Sequence, residues 1–168
     1  MHVWHLRRLE LYAQVFCEPN GWTRAFPMAH KSDAHEALSL LFAWDGVPAS
    51  MVMDNAGEQV DGEFKRKCRQ AGCHVRRTEP HTPFSNAAEG SIRELKKATG
   101  RDMMKTQSPK VLWDYCLELR AMIRSHTASN VFSLQGEVPE TMVSGETTDI
   151  SQFCEFGWYE WVKFRDTE

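Results

Sequence analysis

The sequence predicts an α/β fold, and three observations carry that reading. Two segments rich in β-branched and aromatic residues are joined by a tight-turn signal. A segment with helical spacing leads into a short apolar run without alternation, and helix-like and strand-like segments then continue to alternate. An apolar, unalternating strand that follows a helix is what a strand covered on both faces looks like.

The elements follow in order. "LELYAQVF", Leu9 to Phe16, reads as a strand, and "WTRAFPMA" reads as its hairpin partner, with Pro19, Asn20 and Gly21 supplying the turn. In "KSDAHEALSLLFAWDG" Ser32 is the expected N-cap, Ala34, Ala37, Leu38 and Leu41 recur at helical spacing, and Gly46 stops the helix. "SMVMDN" is then the central strand. A second helix is expected from about Gln59 to Ala71, with Val60, Phe64, Cys68 and Ala71 inward and Lys65, Arg66 and Arg69 outward. Gly72 ends it, and "CHVRRTEP" is a short strand. "HTPFSN" reads as a Pro-containing loop, after which Asn86 caps a long helix with Ile92, Leu95, Thr99 and Met103 as its apolar stripe. Ser108 and Pro109 make an N-cap and N1 pair for "KVLWDYCLELRAMIRSH", with Leu112, Cys116, Leu119 and Ile123 inward. The remainder reads as loop followed by an aromatic strand.

At 168 residues, 42% of them hydrophobic, the chain fits one domain with a substantial core. The formal charge of -3 argues against a general polycation, but the charge is unevenly spread. Half of the 20 Lys and Arg lie between Phe64 and Arg101, whereas residues 136–168 form an acidic and aromatic C-terminal extension. A basic middle points to a face that meets a polyanion, although a solvated helix face is the commoner cause of a charge run. Five scattered cysteines, Cys17, Cys68, Cys73, Cys116 and Cys154, read as reduced thiols in the core. Cys68, Cys73 and His74 lack the second ligand cluster that a zinc site needs. No apolar run reaches the ~20 residues of a membrane span. A soluble, intracellular protein with no membrane partner is the expectation.

Two acids and four cations are the candidate functional residues. Asp54 stands where the apolar strand ends, the place where open α/β sheets present groups to ligands. Glu89 shares one helical stripe with Arg93, Lys96 and Lys97, and Arg101 continues it. Each has an ordinary reading too. Asn86 and Glu89 have capping-box spacing, Asp54 suits an Asx turn before Asn55 and Gly57, and the cations suit a solvated face.

Taken together, "MDNAGEQVDGEFKRKCRQAGCHVRRTEPHTPFSNAAEGSIRELKK" resembles the central part of the retroviral-type integrase core in its copia-type retrotransposon form. Asp54, Asn55, Glu63, Phe64, Cys68, Gly72, Pro80, Thr82, Pro83, Asn86, Glu89, Leu95 and Lys96 fall in step with that pattern. The interval of 35 positions between Asp54 and Glu89 is close to the family's spacing between its second and third catalytic acids. "SPKVLWDYCLELRAMIRSHTASN" and "VPETMVSGETTDISQFCEFGWYEWVKF" are similar to the segments that follow. The resemblance implies an RNase H-like mixed sheet with helices on both faces and a polynucleotidyl transferase of DNA integration. Asp54 and Glu89 would then be catalytic and would hold Mg²⁺ or Mn²⁺, hard ions that take oxygen ligands. Arg93, Lys96, Lys97 and Arg101 would hold the DNA backbone. In the intact family protein it implies a homo-oligomer, and a nuclear location during integration.

The sequence departs from the family at one place. The first family aspartate belongs to a strand before the hairpin, and "MHVWHLRRLELY" contains no aspartate, while Glu10 belongs to the strand after the missing one. The expectation is therefore an N-terminally truncated core whose first strand is lacking or degenerate, with an unpaired edge in mid-sheet and impaired activity. The alternative is a noncatalytic nucleic-acid-binding or assembly module on the same fold. A nuclease acting on RNA:DNA is a more remote third.

Overall fold

The computed structural model describes residues 2–8, 11–53, 62–77, 83–128 and 134–162. Five strands form one sheet in the order β3-β2-β1-β4-β5: β1 is His2–Arg8, β2 Leu11–Cys17, β3 Thr23–Met28, β4 Ser50–Met53 and β5 His74–Arg77. The sheet is mixed. β1, β2 and β3 are successive antiparallel strands, and β4 and β5 join β1 in parallel.

β1 is the largest correction to the sequence reading. "HVWHLRR" neither alternates nor forms an apolar run, so nothing local marks it as a strand. Its place comes from partners on both sides. It pairs with β2 from His2↔Cys17 to Arg8↔Leu11, and with β4 at His2↔Val52 and Val3↔Met53. β1, and not β4, is the central strand, and it fills the position where an open edge was expected. What remains of the expected degeneracy is chemical, because β1 contains no aspartate.

Strand alternation divides the core between the two faces of the sheet. Phe16, Phe26 and Met28 face one side, where they pack with Trp22, Met51 and Met53 against α1, Ala34–Trp44, and α2, Glu63–Gln70. Ala13, Val15 and Ala25 face the other, under α3, Pro83–Thr106, and α4, Trp113–His126. Helices cover both faces, as expected. β3 is an edge strand, which is where Pro27 costs no ladder bond.

α1 buries Ala34, Ala37, Leu38 and Leu41, the four residues its spacing predicts, and the chain leaves it through Gly46 at φ +85°. Its cap is different. A 3-10 turn over Lys31–Asp33 precedes it, and Asp33, not Ser32, accepts the His30 N–H at 2.8 Å. α2 buries Phe64 and Cys68, but it ends at Gln70, so Ala71 is exposed at its C-cap. Gly72, at φ +77°, then turns the chain into β5.

α4 is rotated from the expected setting. Pro109 is the N-cap of a 3-10 turn over Lys110–Leu112 rather than a helical N1 residue. The buried face carries Trp113, Cys116, Leu117, Ala121 and Ser125, while Leu112, Leu119 and Ile123 are half-buried. The small Ala121 and Ser125 let the helix lie close to β3. Ser125 Oγ accepts the Thr23 N–H and donates to the Thr23 carbonyl, both at 2.7 Å, which satisfies backbone groups of an edge strand from a side chain.

Beyond α4, a short α5, Pro139–Ser144, and a 3-10 turn over Ser151–Phe153 are the regular elements. The expected aromatic strand is absent among the described residues. Trp158 instead packs on the α3–α4 side of the core and donates its indole N–H to Ser108 Oγ at 3.0 Å. Four cysteines are buried and Cys154 is exposed, all as free thiols.

Candidate functional site

The candidate residues fall in two places: after the end of β4 in sequence, and on the outer face of α3. α3 is 24 residues long, about 36 Å at 1.5 Å per residue. Its inner face is the predicted one: Ile92, Leu95, Thr99 and Met103 are all buried. The Thr99 hydroxyl donates to the Leu95 carbonyl at 2.9 Å, and Cys116 Sγ lies 3.9 Å from the Thr99 carbonyl oxygen, so α3 and α4 meet closely.

With that face fixed against the sheet, Glu89, Arg93, Lys96, Lys97 and Arg101 must point outward, and all five are exposed. They form a stripe about 18 Å long from Glu89 to Arg101. That is long enough for several successive phosphates of one strand.

The start of α3 decides between two readings of Glu89. Pro83 heads the helix, so Pro83 to Asn86, expected as loop and cap, are helical backbone, while His81 and Thr82 lie outside the described residues. Asn86 lies inside the helix, where it does not have the extended backbone of an N-cap residue. The capping-box reading of Asn86 and Glu89 therefore fails, and Glu89 stands in the second turn, exposed.

Of the four cations, Lys97 has a partner among the described residues. Lys97 Nζ lies 2.9 Å from Glu94 Oε1. That hydrogen bond, reinforced by the charges of Lys97, Arg101 and Arg124, holds the Glu94 carboxyl below its ordinary range. Glu94 was not among the residues singled out from sequence, although its spacing of three from Lys97 is the signal that marks such a pair. α4 adds cations the sequence reading also passed over. Arg120 pairs with Asp102, and Arg124 donates to Ser91 Oγ and to the Gly21 carbonyl, both at 3.3 Å.

Asp54 lies outside the described residues, as do Asn55 and Gly57, so the proximity of Asp54 to Glu89 is not described either. The described residue before Asp54 in sequence is Met53, the last of β4, which lies between β1 and β5. The register Val3↔Met53 brings β1 alongside that end. The sequence of β1, HVWHLRR, contains two histidines, two arginines and no carboxylate. Among the described residues no group of three or more His, Cys, Asp or Glu is placed to hold a metal ion. A pair of Mg²⁺ or Mn²⁺ ions takes a cluster of oxygen ligands, of which Glu89 is the described candidate.

No described helix is long and apolar enough to cross a membrane. No protein-family model matches the chain, and no curated protein matches it in sequence. Solved structures do match it in fold. The chain is similar to the catalytic core domain of BIV integrase, with a TM-score of 0.67 and 14% identity over 92% of this chain and 95% of that one. The mixed α/β architecture of this protein is thus similar to that of an integrase catalytic core.

Proposed function

We propose that the chain is an integrase-core-like domain of DNA integration, from a copia-type retrotransposon, and that its α3 stripe holds DNA. By descent it is a polynucleotidyl transferase. The observation that supports this most is the exposed alignment of Glu89, Arg93, Lys96, Lys97 and Arg101 along one face of a long helix in an integrase-core fold. The cations contact phosphates, and Asp54 and Glu89 are the inherited catalytic acids, which in the intact family would hold Mg²⁺ or Mn²⁺. The strand-joining chemistry is impaired, because β1, His2–Arg8, contains no carboxylate.

A specific observation favours a second reading. The same missing carboxylate suits a noncatalytic DNA-binding or assembly module, for which Asp54 and Glu89 would be dispensable. One assay separates the two. Joining or nicking of duplex DNA in Mg²⁺ or Mn²⁺, abolished by Asp54→Asn and by Glu89→Gln, supports the transferase. DNA retention that these changes leave intact and Lys96→Ala weakens, without any joining, supports the binding module. If neither joining nor retention occurs, both readings fail.

A further inference from the structure

The C-terminal segment holds apolar side chains in water in a fixed arrangement. Gly157 N–H donates to Glu160 Oε2 at 2.7 Å, Glu160 N–H reaches back to the Gly157 carbonyl at 3.3 Å, and Tyr159 takes a positive φ of 58°. Trp158 anchors this turn on Ser108 and on the core beneath α3 and α4. Around the anchor, Phe156, Tyr159, Trp161 and Val162 are exposed, Trp161 by 96%. A tied-down turn that displays several large apolar groups is an interaction surface more readily than a frayed end. Its charge is negative: residues 136–168 contain eight acidic and two basic side chains.

A surface of complementary character lies between α3 and α4. It is a groove of about 400 Å³ with Leu95, Ala98 and Ile123 as apolar lining and Arg101, Arg120 and Arg124 as cations, against one carboxylate, Glu94. It is concave enough to take an aromatic side chain. Apolar lining beside three arginines suits an aromatic, acidic peptide.

We propose that the α3–α4 groove is the docking site for the aromatic turn of a second copy of this chain, with Trp161 and Phe156 as the apolar anchors and Glu155 facing the arginines. Within one chain the tail adjoins the groove, Phe156 lining a cavity with Arg120 and Ile123, and the proposed contact joins the tail of one copy to the groove of another, so it is heterologous. It is independent of any reading of the acids.

The full chain tests this by sedimentation or light scattering across a concentration series. Wild type should pass from 19.3 kDa to at least twice that mass. Trp161→Ala and Arg101→Glu, both at exposed positions, should each weaken association by about tenfold or more while leaving thermal unfolding unchanged. Phe156→Ala is the second tail variant and should act in the same direction. The decisive arm mixes the tail variant with the groove variant. At a concentration where wild type associates and each variant alone is monomeric, the mixture keeps one intact tail and one intact groove and should form a heterodimer. A wild type that stays monomeric overturns the proposal, as does a mixture that fails to associate. If Arg101→Glu abolishes DNA retention and leaves self-association untouched, the groove belongs to DNA and the proposal fails.

Discussion

The antiparallel and parallel halves of the sheet are built differently. β1, β2 and β3 run alongside one another over their full lengths, and side chains from elsewhere lock the outer edge. Ser125 holds the backbone of Thr23, Glu140 accepts from both Trp22 Nε1 and Arg24 at 2.9 Å, and Arg24 also pairs with Asp45 at 2.9 Å while lying 4.9 Å over the Trp22 ring. β4 and β5 are strands of four residues, and among the described residues β4 meets β1 at only two positions. The candidate acid follows directly on this lighter half. The difference teaches where the molecule is anchored: the antiparallel half carries the side-chain ties, and the parallel half leads in sequence to the candidate acid.

Substitutions in the two halves should therefore differ in cost. Trp22→Ala removes a fully buried indole and its bond to Glu140, and should destabilise by about 3–5 kcal/mol. Val75→Ala in β5, half-buried, should cost only about 1 kcal/mol. Urea unfolding of both variants measures the contrast, and equal losses would remove it.

Ser125→Ala should come next. It leaves the Thr23 N–H and carbonyl buried without their side-chain partner, a loss of about 2 kcal/mol. Amide exchange at Thr23 should accelerate while exchange in β5 stays unchanged. Acceleration spread evenly over the sheet would mean that the edge is not held locally.

Thiols probe the two faces through pH. Burial, with the nearby Cys73 adding to it, pushes Cys68 up from 9.0 to about 12 on the α1–α2 side. Burial, with the Asp102 charge adding to it, does the same to Cys116 on the α3–α4 side, also to about 12. A raised folded value means that these groups favour the native state fully below 9.0, and that this contribution is lost as pH rises towards 12. The urea midpoint should fall progressively above about pH 9. In Cys116→Ala the fall should be shallower, and a wild-type midpoint flat across that window would contradict the burial account.

The smallest effect on stability is expected on the outer face of α3. Arg93→Ala, Lys96→Ala and Arg101→Ala should each change stability by no more than about 0.5 kcal/mol, since all three side chains are exposed. Each that contacts a phosphate should lower the salt slope of DNA binding by about 1. A large loss of stability would show that the stripe is structural.

What was legible in the sequence follows from these same forces. The inner faces of α1 and α3 were readable because burial alone imposes a 3.6 period, and Ala34, Ala37, Leu38 and Leu41, like Ile92, Leu95, Thr99 and Met103, keep it without interruption. α4 misled because Leu119 and Ile123 are the more hydrophobic residues, yet the close approach to β3 selects Ala121 and Ser125. β1 was invisible because "HVWHLRR" is a strand only through its two neighbours. The aromatic tail looked like a strand by composition, but its Trp158 serves as an anchor and finds no ladder partner. At the site, the outward stripe of α3 was legible from periodicity. The start of the helix at Pro83 was not, since a proline reads equally well as a loop residue or as a first helical residue.

The most direct test is the salt dependence of duplex DNA retention, measured side by side for wild type, the Asp54→Asn/Glu89→Gln double variant and an Arg93→Ala/Lys96→Ala/Arg101→Ala triple variant. The account predicts strong salt-dependent binding by the first two and a slope lower by about 3 in the last. A triple variant that binds as wild type does, with the same slope, would contradict it.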